Sequence, residues 1–258
     1  MGERSRVPVL DGHVVIHRSP PIGAAHGRCL VVPPFGVPAR WLSPLTDAIS
    51  HLGMEAISFD PRDHVGDGSG TINDYRVSQV AEDCAHLIDE VAPTCVLAVS
   101  LGARGALRAL ARSDAELDIV LVTPVVALRS TLSRILGRDW FAAAVDDLPQ
   151  LMPVLDHEVR SQTFRSDCLE HGFLERDGTV ADLAAARGRI HLIAGSADPW
   201  IDRNAVVATA SEASAHRDEP VTVETVDADR HLLHEDADLA MRMIDAAVAA
   251  VAHRRQAA

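Results

Sequence analysis

One stretch constrains this chain more than any other: Cys95-Val96-Leu97-Ala98-Val99-Ser100-Leu101-Gly102-Ala103-Arg104. Its first half is an apolar run rich in β-branched residues, the pattern of a strand buried on both faces of a parallel sheet. The segment after the serine, Leu101 to Arg112, has helical composition. A strand that passes into a helix through a single serine turns so tightly that the residues two before and two after it must be small. Here these are Ala98 and Gly102. Such an elbow lifts the hydroxyl above the sheet, beside a helix N-terminus that favours negative charge. The pattern marks Ser100 as a candidate nucleophile; the alternative is a serine that only caps the helix.

The flanking segments supply a context for that elbow. Val14 to His17 reads as a short edge strand, and Cys29 to Val32 as a second strand that stops at Pro33-Pro34-Phe35-Gly36, because proline donates nothing to a ladder. Trp41, Leu45, Ala48, Ile49 and Leu52 fall at helical spacing, with Gly53 closing the helix. Ala56 to Phe59 is the next strand; it runs into a long loop from Asp60 to Gly70, and Tyr75 to Val91 is an amphipathic helix. Beyond the elbow come a strand at Ile119 to Val122, then Ile190 to Ala194, a helix at Asn204 to Ala213, a strand at Val221 to Val226 and a last helix from Asp236 to Val251. Strands alternating with helices predict an α/β protein with a mostly parallel central sheet and helices on both faces. From Val125 to Arg187 no strand is expected, only helical runs such as Leu128 to Leu136 and Val159 to His171, interrupted by Pro149 and Pro153. The reading is a core made of residues 1–124 and 188–258, with a helical cap at 125–187 over the site.

Composition removes several chemistries. All 24 basic residues counted as Lys and Arg are arginine, which excludes a lysine Schiff base, a covalent pyridoxal site and a lysine general base. A net charge of −13 argues against nucleic acid and anionic membrane as partners. Cys29, Cys84, Cys95 and Cys168 are isolated in sequence, so buried reduced thiols are expected rather than disulfides or a zinc site. The histidines show no metal-ligand spacing, and neither a metal nor a cofactor is expected. No apolar stretch suits a signal peptide or a membrane span, and the expected location is cytoplasmic.

A serine hydroxyl attacks only when a base takes its proton and an acid orients the base. The loops after the later strands offer both. Gly195-Ser196-Ala197-Asp198-Pro199-Trp200-Ile201 follows one strand and places Asp198 as the acid, with Asp202 as the alternative. Asp227-Ala228-Asp229-Arg230-His231 follows the next and places His231 as the base, with His234 as the alternative. Two aimed backbone donors must then hold the oxyanion. The N–H of Leu101 is one candidate. The other is the N–H of Phe35, the first residue after two prolines able to donate.

Further stretches carry a family resemblance: His64-Val65-Gly66 with Ser69-Gly70, Ser100-Leu101 with Ala103-Arg104, Leu128-Arg129 with Ser133 and Leu136-Gly137, Asp147-Leu148-Pro149, and Phe164 with Asp167-Cys168-Leu169 and Gly172. In these the chain resembles the lux-type acyl transferases, the myristoyl-ACP thioesterases of bacterial bioluminescence operons, within the α/β-hydrolase superfamily. It departs from them at Gly102, where serine is found, and at Pro34, where glycine is common. The resemblance implies an α/β-hydrolase fold and cleavage of a fatty acyl thioester through an acyl-serine intermediate, with Ser100 as nucleophile and His231 as base. The expected function is a serine thioesterase or acyl transferase on an acyl-thioester borne by a carrier protein. A lyase-type elimination on the same triad and a non-catalytic ligand-binding homologue are the alternatives. Phe35, His64, Trp140, Phe164 and Trp200 are expected against the substrate. An acyl carrier protein is acidic, so a basic face is expected at Arg129, Arg134 and Arg138, which otherwise read as a solvated helix face.

Overall fold

Strand β5 (Cys95–Val99) is buried at every position, as its unbroken apolar run requires of a strand covered on both faces. The computed structural model around it describes residues 3–144, 147–231 and 237–255. The other strands of the main sheet are β1 (Glu3–Val9), β2 (Gly12–Ser19), β3 (Arg28–Val32), β4 (Glu55–Asp60), β6 (Asp118–Val122), β9 (Ile190–Gly195) and β10 (Thr222–Val226). These eight strands lie in the order β1-β2-β4-β3-β5-β6-β9-β10. All neighbours from β4 to β10 are parallel, while β1 and β2 form an antiparallel hairpin that meets β4 antiparallel. Val14 to His17 therefore lies inside the sheet; the edge belongs to β1.

The period of two sorts each strand's side chains onto two faces. Leu30, Val32, Val96, Ala98, Ile119 and Leu121 join one buried cluster with residues of α2 (Val77–Val91) and α3 (Gly102–Ala111). Cys29, Val31, Cys95, Leu97, Val99, Val120 and Val122 join the other, with residues of α1 (Ser43–His51) and α8 (Ala237–Arg255). Helices thus cover both faces, as the alternation predicts. The cysteines are reduced and buried. Among the described residues no helix is long and apolar enough to cross a membrane.

Between β6 and β9 the chain makes α4 (Leu128–Leu136), β7 (Leu151–Val154), β8 (His157–Arg160), α5 (Ser161–Glu170) and α6 (Arg176–Ala185). The expectation of no strand here is corrected, because β7 and β8 pair antiparallel in a separate hairpin. Met152, Val154 and Val159 face inward while Pro153 and Glu158 face out. Pro153 is tolerated because a two-stranded ribbon has open edges. The helix expected from Val159 starts only at Ser161.

Charged residues fasten this segment to the sheet layer. Arg76, the residue before α2, offers no side-chain cap, and Asp167 from α5 supplies one instead. Its carboxylate accepts from the N–H of Val77 at 2.8 Å and of Ser78 at 3.3 Å, and from the Ser78 hydroxyl. Asp182 of α6 pairs with Arg104 and, at 2.8 Å, with Arg108 of α3. Both guanidinium groups lie over the Phe173 ring, 4.9 and 4.6 Å from its centre. A buried arginine such as Arg104 persists only with partners of this kind.

Candidate active site

The elbow takes the form the sequence implies. Ser100 sits at φ +53°, a left-handed conformation that costs a non-glycine residue about 1 kcal/mol or more. Its N–H extends the ladder to the Val122 carbonyl at 2.9 Å, and α3 starts immediately beyond it. Gly102 is small because a Cβ there would lie 2.0 Å from the Pro33 carbonyl oxygen. The Ser100 hydroxyl does not cap α3. It lies 2.8 Å from Nε2 of His231.

Two loops bring the imidazole to that hydroxyl. The Ser196 N–H donates to the Val226 carbonyl and the Ala197 N–H to the Ala228 carbonyl, both at 2.8 Å, tying the turn after β9 to the turn after β10. The Asp198 and His231 side chains then meet, with Oδ2 of Asp198 2.7 Å from Nδ1 of His231. The other carboxylate oxygen accepts from the N–H groups of Trp200 at 2.9 Å and Ile201 at 3.0 Å. Burial pushes the Asp198 carboxyl up, but the His231 hydrogen bond and charge and the two backbone donors outweigh it and hold it below the ordinary carboxylate value. It therefore remains an anion facing Nδ1–H, which leaves Nε2 free to accept from the serine. Asp202 does something different: it caps α7 (Arg203–Ser214) through the N–H groups of Asn204 and Ala205. His234 lies outside the described residues.

Beside the serine, the loop after β3 presents backbone donors. Pro33 and Pro34 have no N–H, the Gly36 N–H donates to Nε2 of His64 at 3.1 Å, and the Val37 N–H donates to the Pro34 carbonyl at 3.3 Å. Phe35 is left as the loop's remaining donor, and it lines the same cavity as Ser100 and Leu101.

That cavity holds about 400 Å³ and opens on Ser100. Leu128, Thr131, Leu132 and Ile135 of α4 form one wall, with Val154 and Leu155 of the hairpin. Trp41, Leu45, Val99 and Ile244 contribute from the other side. His231 is the only titratable side chain on its surface among the described residues. So apolar a lining suits an apolar group better than a polar one.

Of the aromatic and imidazole side chains expected against a substrate, Phe35 and Trp200 line the cavity, and the Trp200 ring packs 4.9 Å from the His231 ring. His64, Trp140 and Phe164 do not line it, which corrects that expectation. His64 is buried behind the loop as the acceptor for Gly36. Its Nδ1–H donates to the Val65 carbonyl, and burial lowers it to a pKa of about 4, so it stays neutral. Phe164 stacks on Tyr75 inside the core, and Trp140 is buried under the Arg138 guanidinium, 3.9 Å from its ring centre. The α4 wall was findable, since Leu128, Thr131, Leu132 and Ile135 recur at helical spacing. Leu155 carries no such signal.

The arginines each have internal partners. Arg129 pairs with Asp139 and Glu175, Arg134 with Asp202, and Arg138 stacks on Trp140.

Solved structures of similar shape place the fold. The chain superposes on Est1E from Butyrivibrio proteoclasticus with a TM-score of 0.74 at 12% identity, covering 100% of both chains. It superposes on an alpha-beta serine hydrolase homologue from Coxiella burnetii with a TM-score of 0.58 at 15% identity, covering 96% of this chain and 95% of that one. The fold is that of the α/β-hydrolases. In sequence, an acyl transferase of Photorhabdus luminescens is 27% identical over 178 residues, 67% of this chain and 58% of the relative. One of Vibrio harveyi is 27% identical over 168 residues, 63% of this chain and 54% of the relative. The chain thus spans little more than half the length of the curated relatives it matches. The model of the acyl transferase family matches residues 30–249, and the chain belongs to that family.

Proposed function

We propose that this protein cleaves an acyl thioester through an acyl-serine intermediate and passes the acyl group to water or another nucleophile. The observation that carries the reading is the chain of contacts from Ser100 through His231 to Asp198, with Ser100 and His231 lining an apolar cavity. Membership of the acyl transferase family supports the acyl chemistry.

In this account Nε2 of His231 takes the Ser100 proton as Oγ bonds to the acyl carbon. The carbonyl π pair moves onto oxygen, and the N–H groups of Leu101 and Phe35 hold the resulting anion. When the carbonyl re-forms, the bond to sulfur breaks and His231 returns its proton to the leaving thiolate. Water or an acceptor hydroxyl then gives its proton to His231 as its oxygen attacks the acyl-serine carbonyl, and when that carbonyl re-forms the bond to Oγ breaks and His231 returns the proton to Ser100. The acyl chain lies along Leu128, Leu132 and Ile135.

A carrier-borne donor belongs to the same proposal. An acidic carrier face docking on Arg129 and Arg134 would compete with Asp139, Glu175 and Asp202 for them.

The test is turnover on acyl-CoA and acyl-pantetheine thioesters from acetyl to palmitoyl, with wild type, Ser100→Ala and His231→Ala. The reading requires thiol release by the wild type and its loss in both variants. No turnover on any thioester, or undiminished turnover in Ser100→Ala, would refute it.

A further inference from the structure

The Phe35 amide is useful only if something aims it, and the residue beside it, Gly36, is held by two imidazoles. Gly36, the next residue, has φ +76° and is gripped from both sides. Its N–H donates to Nε2 of His64 at 3.1 Å from within the core. Its carbonyl accepts from Nε2–H of His157 at 3.1 Å, reached across 121 residues from the first position of β8. The imidazole fills the space a side chain at residue 36 would need, for a Cβ there would lie 2.6 Å from His157 Cδ2. The Phe35 ring stands edge-on to both imidazoles, with centres 6.2 Å from His64 and 5.9 Å from His157. The same hairpin lines the acyl cavity through Val154 and Leu155.

We propose that His157 is a positioning residue for the anion site: by holding the Gly36 carbonyl from the cap side, opposite His64, it locks the Phe35–Gly36 segment so that the Phe35 N–H faces the cavity at Ser100. This role rests on the acyl-serine reading. His157 touches no reacting atom. Its effect is confined to the state in which an oxyanion exists, because only there does the Phe35 donor matter.

The test compares His157→Phe, which keeps a ring against Phe35 but has no N–H, with His157→Gln, which restores a donor. The measurements are hydrolysis of p-nitrophenyl octanoate, affinity for octylboronic acid, which forms a tetrahedral anion on a serine, and inhibition by 1-octanol, which fills the cavity without an oxyanion. A mis-aimed donor predicts that His157→Phe loses about 10–100-fold in kcat with KM within about twofold. Boronic acid affinity should fall by a similar factor, octanol inhibition should be unchanged, and His157→Gln should recover most of the loss. Wild-type kcat and boronic acid affinity in His157→Phe would overturn the role. So would loss of kcat without loss of boronic acid affinity, or a glutamine variant no better than phenylalanine. Should His157→Phe not fold, His157→Asn, whose amide stops short of Gly36, takes its place, and equal activity in Asn and Gln variants overturns the proposal. A wild type that neither hydrolyses the ester nor takes the boronic acid refutes the acyl-serine reading and this role with it. A competent wild type matched by His157→Phe refutes the role alone.

Discussion

Asp198 meets His231 at 2.7 Å across 33 residues of chain, one carboxylate oxygen on the imidazole and the other on two backbone N–H groups. That division of the carboxylate fixes both its direction and its charge. Asparagine at this position would keep the shape but present an N–H to Nδ1 and favour the wrong imidazole tautomer. Asp198→Asn should therefore lower kcat by about 10³–10⁴ with a melting temperature close to wild type. Asp202→Ala, which removes the cap of α7 and an exposed ion pair with Arg134, should cost about 1 kcal/mol of stability and leave kcat within about twofold. Ester turnover and thermal melts of the two variants separate these roles.

His64 gives a pH signature. Burial holds its pKa near 4, against 6.5 for an unburied histidine, so the folded protein stays neutral there while the unfolded chain takes a proton. Its stabilisation is complete above pH 6.5 and is lost as pH falls toward 4. One proton over that window amounts to roughly 3 kcal/mol. Other groups titrate there as well, so the quantity to measure is the difference between wild type and His64→Gln in urea denaturation. The wild type should lose stability relative to the variant across the window; parallel curves would contradict the assignment.

Gly102 shows how the elbow is coupled to the loop after β3. A Cβ at that position would meet the Pro33 carbonyl at 2.0 Å, so Gly102→Ser must push away the loop that carries Phe35. The expected result is a loss of about 1–3 kcal/mol in stability together with a fall in kcat. The fall should exceed any change in KM.

The cavity wall predicts specificity. Leu132 lines the cavity from α4, and Leu132→Trp would take up part of its volume. The ratio of kcat/KM for palmitoyl over butyryl thioester should drop by about tenfold or more. A uniform loss across chain lengths would mean that α4 does not bound the acyl chain.

Much of this architecture was readable before any coordinates, and the exceptions have physical causes. Ser100 and Asp198 follow β5 and β9, buried parallel strands whose apolar runs give the strongest signal a sequence carries, whereas His231 follows β10, an edge strand with no buried residue. Strand β1 gives almost none, because Glu3, Arg4 and Arg6 project from an edge that water covers. The β7–β8 hairpin is hidden by brevity and by Pro153, a residue that argues against a strand except on an open edge. Residue type alone also misplaces aromatics and imidazoles. Trp140 and Phe164 satisfy the core, and His64 grips a loop from behind, because nothing in a linear sequence says which way a side chain points.

The central claim is that an acyl group becomes covalently attached to Ser100. Intact-protein mass spectrometry after brief exposure to a long-chain acyl thioester tests it most directly, with His231→Ala included to slow deacylation. The account predicts an added mass equal to the acyl group in the wild type or in His231→Ala, mapped by peptide analysis to Ser100 and absent from Ser100→Ala. An adduct that persists in Ser100→Ala, or thioester turnover with the peptide bearing Ser100 unmodified throughout, would contradict it.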